Sequence, residues 1–138
     1  MPAYSSTPLP KKLGIRPGSR VYLPEPPADV RAALRRTLSQ CTWVRVAKGP
    51  LDFAMVFGRS RSGYRSTFER TARALSPTGI LWGCWQKKSS GVATDLGESG
   101  VRAIGLGAGL VDVKICSVTD RWSGLKFVRR RSDRDDHG

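Results

Sequence analysis

Ile80-Leu81-Trp82-Gly83-Cys84-Trp85 runs directly into Gln86-Lys87-Lys88-Ser89-Ser90-Gly91-Val92-Ala93-Thr94-Asp95. The first segment is continuously apolar, as expected of a strand covered on both faces. The second is basic and rich in Ser and Gly, which predicts a loop. Asp95 with Glu98 three residues on spells a capping box. Val101, Ile104 and Ala108 then continue at helical spacing. A buried strand, a cationic loop and a helix start together make a place for an anion, because free helix N–H groups and ammonium groups converge there.

Upstream, Leu51-Asp52-Phe53-Ala54-Met55-Val56-Phe57 predicts a second central strand. Gly58 to Gly63 predicts a loop, and a helix follows from Tyr64 to Leu75 with Phe68, Ala72 and Leu75 inward. Ser76-Pro77-Thr78-Gly79 is expected to end that helix. Pro10 to Ile15 predicts one helical turn stopped by Gly14. Arg16-Pro17-Gly18-Ser19 reads as a turn, and Arg20 to Leu23 as a strand that Pro24-Glu25-Pro26-Pro27 must stop. Ala28 to Leu38 predicts a helix with Val30, Ala33, Leu34 and Leu38 on one face. Thr42 to Ala47 predicts a strand. Downstream, the helix carrying Gly97, Gly100, Gly105 and Gly107 is expected to be weak or to lie close to a sheet. Val111 to Val118 and Gly124 to Arg129 predict a closing antiparallel hairpin.

Strands alternating with helices imply an α/β fold with a mainly parallel sheet. The chain has 138 residues, enough for one domain. Residues 1–9 are expected to be a flexible arm, 10–130 a single domain, and 131–138 a disordered charged tail. No apolar run approaches a membrane span and no signal-peptide pattern is present, so the expectation is a cytoplasmic protein. Three cysteines, Cys41, Cys84 and Cys116, are too few and too scattered for a disulfide framework or a zinc site. The formal net charge is +13, which favours polyanions among potential partners.

Leu13 to Val21, Leu51 to Phe57 and Ala72 to Leu81 resemble the first strand, the fourth strand, and the helix and fifth strand of Rossmann-like methyltransferases. The closing hairpin is similar too, since the last strand of that fold is inserted antiparallel. Closer still, Thr7 to Ile15, Lys87 to Leu96 and Trp122 to Val128 resemble phrases of bacterial domain-of-unknown-function family 3052. The resemblance implies a Rossmann-like three-layer fold with a C-terminal antiparallel hairpin. It also implies tests of S-adenosylmethionine binding: a glycine-rich turn after the first strand and an acid after the second. Here the first turn is Pro24-Glu25-Pro26-Pro27, and the second strand is expected to end at Ala47-Lys48. Neither feature is present.

Other chemistry finds no complete constellation. Gly105-Leu106-Gly107-Ala108-Gly109 precedes a strand, the wrong context for a phosphate turn. Ser60 lacks the G-x-S-x-G flanks, and the only histidine, His137, lies in the tail. Metal ligands do not cluster. The sequence therefore predicts no catalytic residue, no metal and no cofactor, and points to a non-catalytic binding module. Its partner is expected to be a small anionic ligand or an acidic protein, held by Arg59, Arg61, Lys87, Lys88, Ser89, Ser90, Gly91 and Thr94. Trp122, in the turn of the hairpin, is a candidate exposed contact. The alternatives are a divergent S-adenosylmethionine-dependent methyltransferase and a nucleic-acid-binding protein.

Overall fold

A computed structural model describes residues 7–58, 61–88 and 95–135, with 134 and 135 described in backbone only. The elements are α1 (Leu9–Leu13), β1 (Arg20–Tyr22), α2 (Ala28–Leu38), β2 (Thr42–Val44), β3 (Leu51–Gly58), α3 (Tyr64–Arg73), β4 (Leu75–Gln86), α4 (Glu98–Gly107), β5 (Leu110–Ser117), β6 (Trp122–Arg129) and α5 (Arg131–Asp135). The six strands form one sheet in the order β2-β1-β3-β4-β6-β5. The first four run parallel, and β6 is inserted antiparallel between β4 and β5. This is an α/β, Rossmann-like three-layer fold.

Alternation along the strands sorts the core into two layers. Val56, Leu81, Trp85 and Phe127 face α3 and α4, where Tyr64, Phe68, Ala72 and Val101 meet them. Val21, Phe53, Met55, Trp82 and Trp122 face α1 and α2, against Leu13, Val30, Leu34 and Leu38. Trp82 and Trp85 therefore anchor opposite layers. The Trp82 indole N–H donates to the Leu13 carbonyl at 2.8 Å, which fastens α1 to the sheet. Gly14 ends α1 in the left-handed region, at φ 87°, as Gly does at little cost.

Several expectations give way. β4 begins at Leu75, so Ser76 to Gly79 belongs to a strand and not a loop. Leu51 pairs with Leu75, but Phe53 pairs with Ile80, so the extra residues form a bulge. Pro77 is tolerated in such a bulge. Gly79 fits because a Cβ there would stand 2.6 Å from the Leu51 carbonyl. β2 stops at Val44, short of Ala47. Helix α4 starts at Glu98, with Gly97 as its cap and no side-chain cap. Asp95 lies two residues before that cap, and its carboxylate accepts from the Arg61 backbone N–H at 2.9 Å instead.

Leu9 belongs to α1, and Arg131–Asp135 forms α5 where a disordered tail was expected. Asp133 in the first turn of α5 complements the positive end of the helix. β5 is the border strand beyond β6, and it carries a register shift between Asp112 and Lys114. No helix among the described residues is long and apolar enough to cross a membrane.

Candidate functional site

Sheet order reverses between β1 and β3, since the chain leaves β1 toward β2 and returns to the other side at β3. In an open α/β sheet, ligands bind in the crevice outside the carboxyl ends of the strands at such a point. A cleft of about 430 Å³ lies there, lined by Tyr22, Glu25, Phe57, Gly58, Tyr64 and Thr67 among others. Two local features shape it. Gly58 lies flat against Tyr64, where a Cβ would stand 2.2 Å from Cδ2. Glu25 is the non-glycine residue with positive φ among the described residues, at 46°. Its left-handed backbone folds the proline-rich turn over the ends of β1, a conformation that side-chain-bearing residues adopt at a cost.

The Tyr64 hydroxyl donates to the Val56 carbonyl at 3.3 Å. Burial holds its pKa well above the ordinary 10.0. The nearby Cys84 thiol pushes the same way, and a backbone hydrogen bond partly offsets both. Tyr64 is therefore a neutral wall and not a base.

On the other side of the Glu25 turn is a second cleft of about 360 Å³, lined by Arg31, Trp43 and Arg45. Because β2 ends at Val44, the residue after it is Arg45. A guanidinium thus stands where the resemblance implies an acid. Arg45 Cζ lies 5.3 Å and Arg31 Cζ 5.6 Å from the Trp43 ring centroid.

The residues selected from sequence divide between two other clefts. Gly58 and Trp85 are register partners, so the chain leaves β3 and β4 at the same rim of the sheet. Arg59, Ser89, Ser90, Gly91 and Thr94 lie outside the described residues, as do Ser60 and His137. Lys87 and Lys88 line a cleft of about 770 Å³ between the end of β4 and the start of α4. The Lys87 ammonium donates to Ser117 Oγ at 2.6 Å, and Lys12 Nζ reaches the Ser117 carbonyl at 2.9 Å. Arg61 lines a separate cleft with Arg65 and Gly100. Its Nε donates to the Asp95 carbonyl at 3.2 Å. Arg61 and Lys87 are thus engaged in different directions.

Gln86 Oε1 is buried beside the β4–α4 cleft and has no hydrogen-bond partner among the described residues. Glu98, in the first turn of α4, is held by Arg102 at 2.9 Å. Its charge opposes an anion at that helix end. Trp122 is not an exposed contact. It opens β6, is 2% exposed, and meets Phe57 edge-on at 5.4 Å between centroids.

Sequence reasoning missed Tyr22, Gly58, Tyr64 and Thr67 at the β1–β3 cleft, and Glu25 as a lining residue. The available signal was positional. Tyr22 and Gly58 end strands that flank the reversal, and Glu25 stands alone among prolines. No group of His, Cys, Asp or Glu among the described residues has the geometry of a metal site.

Neither a protein-family model nor a curated protein sequence matches the chain. Solved structures do. A TehB-like SAM-dependent methyltransferase from Corynebacterium glutamicum superposes with TM-score 0.55 and 11% identity, over 88% of this chain and 85% of that one. Magnesium protoporphyrin IX methyltransferase from Synechocystis, solved with bound SAH, gives 0.57 and 13%, over 83% and 75%. The N-methyltransferase NodS from Bradyrhizobium japonicum gives 0.50 and 14%, over 83% and 86%. At these identities the likeness is one of fold: the chain has the sheet and crossovers of Rossmann-like methyltransferases.

Proposed function

We propose that this chain is a divergent S-adenosylmethionine-dependent methyltransferase acting in the cytoplasm, with its cofactor site at the β1–β3 cleft. The observation that carries the reading is the position of that 430 Å³ cleft at the reversal of strand order. The fold likeness supports it, since it spans most of both chains in the comparisons given. The free thiols Cys41, Cys84 and Cys116 fit a reducing compartment. Kinship with bacterial domain-of-unknown-function family 3052 is part of the same proposal.

The residues fit such a cofactor in three ways. Gly58, with no side chain, lets Tyr64 and Leu96 pack flat on the end of β3, which shapes that side of the cleft. Glu25, held in a backbone conformation that glycine ordinarily takes, brings a carboxylate to the turn. That carboxylate complements a cationic group of the ligand, and Arg70 on the same lining complements an anionic one. Neutral Tyr64 walls the cleft on the α3 side. When bound, the cofactor supplies an electrophilic methyl group whose bond to sulfur breaks as the acceptor takes it. Glu25 orients the ligand, and the Pro24 turn limits access of water.

Calorimetric titration with S-adenosylmethionine and S-adenosylhomocysteine tests the reading. Saturable binding is expected, and Ser62→Trp, an exposed change that fills the cleft mouth, is expected to weaken it at least ten-fold. No saturable heat at millimolar ligand would remove the proposal.

A second reading keeps the chain as a non-catalytic anion-binding module. The ammonium groups of Lys87 and Lys88 on the lining of the 770 Å³ cleft favour it, because two neighbouring cations attract an anionic ligand. Lys87→Ala with Lys88→Ala would then abolish retention of small phosphorylated ligands while leaving cofactor binding intact.

A further inference from the structure

Helix α2 carries Arg31, Arg35 and Arg36 on its surface, all exposed. The ion pairs among the described residues involve none of them. Helix α2 and β2 together bound a furrow of about 630 Å³. Leu38 and Trp43 floor it, Arg31 and Arg35 wall it, and no carboxylate lines it. It adjoins the 360 Å³ cleft through their shared Pro26, Arg31 and Trp43, which extends the surface to Arg45 and brings in one carboxylate, Glu25, at its far side. Trp43 is half-buried and has both guanidinium groups within 5.6 Å of its ring centroid.

We propose that this α2–β2 furrow binds single-stranded nucleic acid. Guanidinium groups without an ion-pair partner suit neighbouring phosphates, and Arg31 to Arg36 span about 7.5 Å of helix rise, room for about two of them. An aromatic ring among those cations suits the face of an unstacked base, which takes the place of a guanidinium over the ring and frees it for phosphate. A duplex keeps its bases stacked on one another and offers no such face. An acidic peptide would satisfy the arginines and leave the indole unused. The net charge of +13 adds long-range attraction. The inference stands on residues outside the β1–β3 cleft and does not depend on methyl transfer.

The chain has four tryptophans, and Trp82, Trp85 and Trp122 are buried. Quenching of tryptophan emission therefore reports on Trp43. Titration of the full chain with dye-labelled oligo(U) and oligo(dT) is expected to show anisotropy saturation and emission quenching together. A preference between the two oligomers identifies RNA or DNA as the source. Trp43→Phe should retain affinity within about two-fold and lose the quench. Trp43→Ala should weaken binding about ten-fold, within the range for loss of one stacked base. Arg31→Ala with Arg45→Ala should weaken binding and lower the salt slope by about 1.4. This double variant, checked by thermal melting, tests the site even if Trp43→Ala fails to fold. Equal affinity for a duplex of the same length would overturn the proposal. So would displacement by polyglutamate at equal charge, or unchanged binding and salt slope in the double arginine variant.

Discussion

Gly105 in α4 lies directly on the ring of Phe127 in β6: a Cβ on the glycine would stand 2.0 Å from Cε1. At this one position the helix backbone is the packing surface, whereas a Cβ at Gly100 or Gly107 would meet nothing closer than 3.8 Å. What looks like low helix propensity is the condition for close approach to the sheet. Gly105→Ala is therefore expected to destabilise the fold by about 1–3 kcal/mol through overpacking, despite the gain in propensity. Urea denaturation checks it. Adding Phe127→Leu should recover part of the loss, and additive losses would count against the contact.

Arg129 joins three segments through one guanidinium. Its Nε donates to the carbonyls of Leu75 and Ser76, and its Nη2 to those of Ala72 and Leu75. These carbonyls lie at the end of α3 and in the bulged start of β4. Charged hydrogen bonds of this kind contribute about 1.5–3 kcal/mol. Arg129→Ala should lower stability by about 2 kcal/mol, and Arg129→Lys should restore little, because a single ammonium cannot span the fork. Denaturant midpoints of the two variants decide this.

Glu25 sets stability against ligand binding. Its left-handed backbone costs roughly 1–2 kcal/mol for a residue with a side chain. Glycine relieves that but adds about 0.5–1 kcal/mol of unfolded-state entropy. Glu25→Gly is expected to raise the melting temperature slightly, while S-adenosylmethionine affinity falls with loss of the carboxylate. Glu25→Val should lower the melting temperature, because a branched side chain is strained at that φ.

Burial holds the Cys84 thiol well above its ordinary pKa of 9.0, with the neighbouring Cys116 thiol acting in the same direction. Burial raises Tyr64 likewise. The folded chain then keeps protons that the unfolded chain would release. Stability is full below the unfolded thiol pKa and is lost as pH rises through the folded values. The urea midpoint should therefore fall as pH climbs above about 9. Cys84→Ala, less stable at neutral pH, should show a shallower fall, and an unchanged slope would reject this account.

The fold was legible where composition alone sets the answer. Leu51 to Phe57 and Ile80 to Trp85 are apolar on both faces, and Ala28 to Leu38 is apolar on one. Such patterns fix strands and helices before any partner is known. The failures arose where tertiary contacts override local rules. Asp95 has the spacing of a cap, but the Arg61 backbone N–H claims its carboxylate. Pro77 and Gly79 look like a stop, but a bulge absorbs them into β4. Trp122 looks like a turn residue, but pairing with Gln86 draws it into the core. The β1–β3 cleft was illegible for another reason. Its lining comes from strand ends and a turn that meet only once the strand order is known. Lys87 and Lys88 stand out in sequence because charge is visible there, whereas Gly58 and Glu25 shape the β1–β3 cleft through their backbone.

The shift between Asp112 and Lys114 has one more effect. Val113 and Ile115 project from β5 at 52% and 50% exposure, beside an outer backbone edge that faces no other strand of the sheet. A flat apolar margin of that kind would recruit a foreign strand and seed fibrils. The kink breaks its regular spacing, and the exposed, charged Lys114 interrupts the apolar run along the same edge, so the margin is a poor template for growth.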